Sequence, residues 1–128
     1  MHYIEGGQCI FVVFDLTKLE TFTNIHIWLH EIKKYNDDAI IFIIGTKEDL
    51  KKERQVLPSM LTDIKEQYTY FEVSSLTRYN INEVLKTMTS EIIAFKNKKY
   101  EANKIITTFG CISATYMILD GLFTIVNY

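Results

Sequence analysis

"CIFVVFD", residues Cys9–Asp15, is a short uninterrupted run of apolar residues, most of them β-branched or aromatic. Such a run predicts a β-strand that is buried on both faces. Two further runs have the same character, "AIIFIIG" at Ala39–Gly45 and "YTYFEV" at Tyr68–Val73. Three strands of this kind favour a parallel sheet, because parallel sheets are normally covered on both sides.

A first helix is predicted between the first two strands. Apolar residues recur at helical spacing from Phe22 to Ile32, which predicts an amphipathic helix that ends near Tyr35. Thr17 and Glu20 precede it with the Thr-x-x-Glu spacing of a capping box, in which each side chain bonds a free backbone N–H group.

Two more helices complete an alternating order. Pro58 suits the first turn of a helix that runs to about Gln67. An apolar stripe from Ile81 to Phe95 predicts a last helix that begins near Asn80. Strands that alternate with helices imply a parallel sheet with right-handed crossovers and helices on its faces. The predicted fold class is therefore α/β.

Length and charge restrict the function classes. The chain has 128 residues, which predicts one domain at 1–95 followed by a basic linker and an apolar tail at 96–128. A net charge of −2 gives no general attraction to nucleic acid, so no nucleic-acid partner is predicted. His26 and His30 lie four residues apart without a third ligand nearby in the sequence, so no metal site is predicted.

The apolar tail leaves membrane association open. Residues Ile105–Tyr128 carry almost no charge, and a bilayer is crossed by about 20 helical residues. Four lysines between residues 96 and 104 precede this segment, on what would be the cytosolic side. Asp120 interrupts it, which disfavours a membrane span. A membrane anchor and an irregular or helical tail are the two alternatives, and the second is favoured.

Two polar loops follow the second and third predicted strands. They are Thr46–Asp49 and Ser74–Leu76. Because ligands of open parallel sheets bind at the carboxyl ends of the strands, we expect both loops to lie at one edge of the sheet and to form a site there.

The residue types in these loops suit guanine. The carboxylate of Asp49 can accept hydrogen bonds from the ring N–H and the exocyclic amino group of guanine together. Adenine lacks this donor pair, so a buried Asp49 would discriminate against it. Lys47 can lay its aliphatic chain on the ring face. The hydroxyl of Thr46 can tie neighbouring loops, that of Ser74 can orient Asp49, and the Ser75 N–H can donate to the base carbonyl.

Five segments carry a resemblance to a known family. They are "FDLTKLETFTNIHIWLHEI" (Phe14–Ile32), "GTKEDL" (Gly45–Leu50), "ERQV" (Glu53–Val56), "EVSSL" (Glu72–Leu76) and "TRYNINEVL" (Thr77–Leu85). In collinear order they resemble the carboxyl-terminal half of a Ras-superfamily small GTPase, and within it the Rab family. "GTKEDL" and "EVSSL" are similar to that family's two base-recognition motifs. The last segment resembles the Golgi-associated Rab branch.

The resemblance implies a partial fold of the phosphate-loop nucleotide-binding class, GTP or GDP as the ligand, and effectors and regulators of the Rab type. It implies a role in vesicle-mediated transport, in the cytoplasm and at the cytosolic face of Golgi membranes. The guanine-binding residues that it implies are Thr46, Lys47, Asp49, Ser74, Ser75 and Leu76.

The phosphate-binding motifs of that family have no match in the sequence. No glycine belongs to a Gly-x-x-x-x-Gly-Lys-Ser/Thr loop, and no aspartate is followed three residues later by glycine. "HYIEGGQ" (His2–Gln8) resembles the segment after the second switch, so we expect this chain to be part of a longer GTPase. Mg²⁺ binding and GTP hydrolysis then belong to the full-length form, and no catalytic residue is predicted here. Without the preceding strand, the edge of Cys9–Asp15 is predicted to be open.

A second hypothesis belongs to another class of protein. It describes a GTPase-derived interaction module without enzymatic activity, anchored to a membrane through its tail. This hypothesis predicts that the native protein starts at Met1, whereas the first predicts that the reading frame continues upstream. Membrane fractionation tests the anchor, because only an embedded tail resists release by carbonate.

Overall fold

The sheet at the centre of the molecule has the predicted parallel arrangement. The structure is a computed structural model that describes the backbone of residues 8–108 and 124–126 and the side chains of residues 8–102. Strands β1 (Cys9–Asp15), β2 (Ile40–Thr46) and β3 (Thr69–Glu72) pair in parallel, with β2 between the other two. The α/β fold with three parallel strands and covering helices is confirmed.

Strands β1 and β2 form the longest pairing. Their register runs without interruption from Cys9 opposite Ile40 to Asp15 opposite Thr46. Alternate side chains point to opposite faces of the sheet, and both faces of these strands are apolar, so both must be covered. The aligned carboxyl ends therefore bring Asp15 and Thr46 to the same edge.

The helical region after β1 differs from the predicted single helix. It consists of α1 (Leu19–Thr23) and α2 (Ile25–Tyr35), which meet at Asn24. The capping-box prediction is wrong, because α1 starts after Lys18 and has no side-chain cap. The Thr17 hydroxyl donates to Asp15 Oδ1 at 2.6 Å, and this contact replaces the expected cap.

The next two helical regions follow β2 and β3. Pro58 opens a 3₁₀ turn at Pro58–Leu61, which continues into α3 (Thr62–Gln67). The last helix, α4 (Ile81–Thr108), extends beyond the predicted apolar stripe. The early turns of α4 pack on the sheet, whereas residues 97–102 are exposed.

Two apolar cores lie on opposite faces of the sheet. On one face, side chains of α1, α2 and α3 pack against β1 and β2, and the fully or nearly fully buried members include Phe14, Leu16, Ile32 and Leu61. On the other face, Val84 and its helical neighbours in α4 pack against the opposite side chains of the strands. The sheet is thus enclosed, and its carboxyl edge is left for the loops.

A fourth short strand changes the predicted edge of β1. Strand β4 (Thr124–Val126) pairs in parallel with Ile10–Val12 of β1. The prediction of an open edge is wrong at these residues, and so is the prediction of an irregular or helical tail at β4. An apolar strand with unpaired backbone groups is a template for a further strand, which accounts for this pairing.

The membrane-anchor hypothesis concerns residues 105–128, most of which lie outside the described residues. Across the part of the chain that the structure describes, no helix has the length and apolar character needed to span a bilayer.

Candidate functional site

The two polar loops meet at the carboxyl edge of the sheet. The Val73 N–H donates to the Gly45 carbonyl at 2.8 Å, and the Glu48 N–H donates to the Val73 carbonyl at 3.1 Å. These two hydrogen bonds extend the pairing of β2 and β3 into the loops. The loops that follow the two strands are therefore held side by side, as the parallel topology predicts.

Thr46 connects β2 with β1. Its hydroxyl donates to the Phe14 carbonyl at 2.9 Å, so its contact is with a strand end rather than with another loop. The Leu16 N–H donates in return to the Thr46 carbonyl at 3.1 Å. Both contacts fix the point at which the loop leaves the sheet.

Lys47 has a backbone conformation that is rare for a residue with a side chain. Its φ is 61°, in the left-handed region. The Leu50 N–H donates to the Lys47 carbonyl at 3.0 Å and closes a tight turn over the loop. The Lys47 ammonium lies 2.7 Å from Asp15 Oδ2, so the half-exposed side chain runs across the carboxyl ends of β2 and β1.

Asp15 is a residue of this edge that the sequence analysis did not assign to the site. It is only 6% exposed and accepts hydrogen bonds from the Thr17 N–H at 2.8 Å and from the Thr17 hydroxyl. Burial alone would raise the pKa of Asp15, but hydrogen bonds from Lys47 and Thr17 outweigh it and lower the pKa below its ordinary value. The signal for Asp15 in the sequence is its position as a carboxylate at the end of an otherwise apolar strand.

Asp49 and Ser74 join the two loops through their side chains. The Ser74 hydroxyl donates to Asp49 Oδ1 and accepts from the Thr77 N–H at 3.2 Å. Ser74 is fully buried, so its rotamer is fixed by its surroundings. A carboxylate oxygen has two lone pairs, so Asp49 keeps acceptor capacity after this contact. The expected contact between the Ser74 hydroxyl and the Asp49 carboxylate is present, and its role in binding a base stays a prediction.

The second loop is ordered beyond Ser74 by its own backbone. The Ser74 N–H donates to the Tyr79 carbonyl at 3.3 Å, and Asn80 Nδ2 donates to the Glu72 carbonyl at 3.0 Å. Asn80 has a φ of 58°, which asparagine tolerates better than most residues. Ser75 and Leu76 lie at the tip of this turn and are exposed, Leu76 to 81%. They therefore face outward beside the Asp49–Ser74 contact.

Comparison with known proteins identifies the family. The sequence pattern that defines the Ras family matches residues 1–94 of the chain. The chain belongs to the Ras family. All six residues predicted to bind guanine lie within the matched part of this Ras-family chain.

Curated relatives of the chain include Rab proteins and another Ras-related protein. The chain is 32% identical to Ras-related protein Rab-2B of Dictyostelium discoideum over 104 residues, which are 79% of this chain and 50% of that protein. It is 35% identical to Ras-related protein Rab-19 of Homo sapiens over 96 residues, 72% of this chain and 44% of that protein. It is 31% identical to Ras-related protein RGP2 of Oryza sativa subsp. japonica over 105 residues, 80% of this chain and 48% of that protein. The Ras-family chain is thus a distant homologue of Rab proteins and spans about half of their length.

The described part of this Ras-family chain offers no metal cluster. Within residues 8–102, no three His, Cys, Asp or Glu side chains are grouped so that they could hold a metal ion. His26 and His30 are exposed on α2. At the carboxyl edge, Asp15 contacts Lys47 and Thr17, and Asp49 contacts Ser74.

Proposed function

We propose that this Ras-family chain reads the guanine base of GTP or GDP at the carboxyl edge of its sheet. The observation that carries the proposal is the contact between Asp49 and Ser74, which fixes one carboxylate oxygen and leaves the carboxylate able to accept further hydrogen bonds. Guanine offers two adjacent donors for such a carboxylate.

The other predicted residues complete the reading of the base. The side chain of Lys47, held at its end by Asp15, provides an aliphatic surface for one ring face. The Ser75 N–H donates to the base carbonyl, and Leu76 adds an exposed apolar surface beside it. Thr46 takes no direct part, because its hydroxyl is bonded to the Phe14 carbonyl, and it holds the start of the loop.

The proposal separates base reading from phosphate chemistry. The sequence contains no Gly-x-x-x-x-Gly-Lys-Ser/Thr loop, so no residue of this chain is assigned to the phosphates, to Mg²⁺ or to an attacking water. Hydrolysis of GTP is not expected from these 128 residues. Since phosphate contacts provide much of the affinity for a nucleotide, we expect weak binding with clear base preference.

A titration of the ¹⁵N-labelled chain tests base reading at high ligand concentration. GMP, IMP and AMP share a phosphate and a sugar, and IMP differs from GMP only in the missing exocyclic amino group. We expect GMP to shift the amide signals of residues 47–50 and 74–77 at lower concentration than IMP, and AMP to shift them least. Equal responses to the three nucleotides would contradict the proposal.

A single substitution provides a stricter test. Asp49→Asn replaces an acceptor with an amide NH₂ donor, which suits the carbonyl that xanthine carries in place of the guanine amino group. We expect Asp49→Asn to weaken GMP binding and to strengthen XMP binding. Glu48→Gln is the matched control, because it neutralises the neighbouring carboxylate without touching the predicted contact. A Glu48→Gln variant with the same change in preference would refute the role of Asp49.

The cellular role that we propose is regulation of vesicle-mediated transport, with effectors and regulators of the Rab type. Homology to Rab proteins over most of the chain supports it. Imaging of the tagged protein beside a marker of the Golgi tests the proposed location on endomembranes. A distribution that is unrelated to any endomembrane marker would contradict this part of the proposal.

A further inference from the structure

A second pair of side chains, Arg54 and Glu72, lies next to the two loops that Asp49 and Ser74 join, because Glu72 is the last residue of β3 and Arg54 follows the first loop. Arg54 Nη1 lies 2.8 Å from Glu72 Oε2, and Arg54 Nη2 lies 2.8 Å from Glu72 Oε1. This bidentate geometry is the most directional form of an ion pair, because it fixes the plane of both groups. Both side chains are about 20% exposed, so the contact is mostly shielded from water.

Further hydrogen bonds hold each partner in place. Arg54 Nε donates to the Val56 carbonyl at 2.6 Å, which anchors the guanidinium to its own loop. The Tyr70 hydroxyl donates to Glu72 Oε1 at 2.9 Å, which anchors the carboxylate to β3. The hydrogen bond from Arg54 lowers the pKa of Glu72 by more than burial raises it, so the carboxylate is ionised at neutral pH.

Short hydrogen-bonded turns connect this pair to the base-reading residues. On one side, the Leu50 N–H bonds the Lys47 carbonyl and the Glu53 N–H bonds the Leu50 carbonyl, each at 3.0 Å. The chain from Asp49 to Arg54 is therefore a continuous series of tight turns. On the other side, one residue separates Glu72 from Ser74.

These connections form a closed ring. The ring runs from Asp49 through the turns to Arg54, across to Glu72, along to Ser74 and back to Asp49 through the serine hydroxyl. Two side-chain contacts close this ring, and the backbone bond from the Glu48 N–H to the Val73 carbonyl lies beside it. Together these three contacts restrict the distance between the loops more than any one of them does.

We propose that Arg54 and Glu72 are positioning residues for base recognition, which hold Asp49 at the distance from Ser74 that a guanine base requires. The inference rests on the proposed function, because it assumes that the base bound by Asp49 is guanine. Neither residue contacts the base, and both act through the chain segments that connect them to the two loops. A purely structural ion pair is the alternative, and it would stabilise the whole domain without a particular effect on the two loops.

Amide hydrogen exchange separates the two roles without a ligand. The Glu48 N–H and the Thr77 N–H are protected by bonds that cross or close the loops, whereas the amides of β2 report on the whole domain. For Arg54→Ala we expect exchange at Glu48 and Thr77 to accelerate about tenfold relative to β2. Equal acceleration at all these amides, or none at the loops, would overturn the proposal.

Matched variants keep this test decisive. Arg54→Lys preserves the charge and loses the bidentate contact, so we expect a smaller change in the same amides. Lys52→Ala removes an exposed lysine from the same turn and is expected to leave the loops unchanged. If Arg54→Ala does not fold, Glu72→Gln serves instead, because it keeps the shape of the side chain and one acceptor for Arg54. Loss of loop protection in Lys52→Ala as well would contradict a specific role of Arg54.

Nucleotide preference gives the functional readout. A displaced Asp49 loses its contact with the exocyclic amino group, so we expect the ratio of GMP affinity to IMP affinity to fall in Arg54→Ala and to recover partly in Arg54→Lys. An unchanged ratio in a folded Arg54→Ala variant would overturn the positioning role. If the unaltered chain does not distinguish GMP from IMP, the proposed function fails, and hydrogen exchange alone decides whether the pair positions the loops.

Discussion

A methyl group added at Gly45 is expected to destabilise the protein, because the space around this glycine is already occupied. A Cβ atom at this position would lie 2.9 Å from the Tyr70 hydroxyl oxygen and 3.1 Å from Leu16 Cδ2 and Phe14 Cζ. All three distances are shorter than ordinary contacts between such atoms. Gly45 precedes Thr46 at the carboxyl end of β2, so its surroundings also support the candidate site.

The neighbours of Gly45 cannot move away freely. The Tyr70 hydroxyl is bonded to Glu72 at 2.9 Å, and its ring stacks on that of Phe14 with centroids 6.3 Å apart. Leu16 and Phe14 are both 1% exposed. Inserting one methyl group into a packed core costs about 1–3 kcal/mol. The lower chain entropy of alanine in the unfolded state offsets about 0.4–1 kcal/mol. The net expectation for Gly45→Ala is a loss of about 1–2 kcal/mol in the free energy of unfolding.

Urea unfolding followed by the fluorescence of Trp28, which packs against the larger core, measures this loss. With a urea m-value of about 1.5 kcal/mol/M, the midpoint should fall by roughly 1 M. Tyr70→Phe removes the closest of the three atoms and a hydrogen bond, at a cost of about 1 kcal/mol on its own. The double variant should lose at least about 0.5 kcal/mol less than the sum of the single variants. A neutral or stabilising Gly45→Ala, or strictly additive effects, would show that the packing around Gly45 is not as described.

Three other predictions concern the strands. Burial opposes the ionisation of Asp15, but the hydrogen bonds from Lys47 and Thr17 together outweigh it and lower the pKa of Asp15. The ionised carboxylate therefore contributes its full stabilisation above about pH 3.9, and this stabilisation is lost as the pH falls further. Asp15→Asn should therefore cost about 1–2 kcal/mol at pH 7, and urea unfolding should show that this difference shrinks in acid; a constant difference would contradict the ion pair. Burial raises the pKa of Cys9 to about 11. In a Cys111→Ser variant, a thiol reagent at pH 8 should therefore label Cys9 only as fast as the protein opens. Rapid labelling of the native state would contradict the burial of Cys9. Phe42 is fully buried, and Phe42→Ala should lower the free energy of unfolding by about 3–5 kcal/mol in calorimetry, a loss below 1 kcal/mol being incompatible with that burial.

The strands were predictable because their sequences leave few alternatives. Cys9–Asp15 matches the predicted bounds of β1, and the predicted bounds of β2 and β3 differ from the structure by one residue at each end. Continuous β-branched and aromatic runs between turn residues specify buried strands of a parallel sheet. The meeting of the two polar loops followed from the parallel topology, since it depends on strand direction and not on side-chain detail.

The capping-box prediction was wrong because the Thr17 side chain had two competing partners. Thr17 has the spacing of a capping residue, but Asp15 lies two residues before it and takes its hydroxyl. Pattern rules do not rank these partners, because the outcome depends on the buried position of Asp15 and on its ion pair with Lys47. The pairing of β4 with β1 was missed for a related reason. A short strand in an apolar tail has no periodicity of its own, and its position depends on which edge accepts it.

The contacts that order the base-reading loops have a consequence for how binding should be measured. The Thr46 hydroxyl bonds the Phe14 carbonyl, Ser74 bonds Asp49, and the Asn80 side chain bonds the Glu72 carbonyl. All of these partners belong to this chain. We therefore expect the geometry of Asp49 and Ser74 to form in this chain whether or not a phosphate is bound. Selectivity and affinity then become separate quantities, since preorganised acceptors set the ratio between GMP and IMP while phosphate contacts set the absolute strength. A low affinity for GTP is thus no evidence against base reading, whereas a missing preference between GMP and IMP would be.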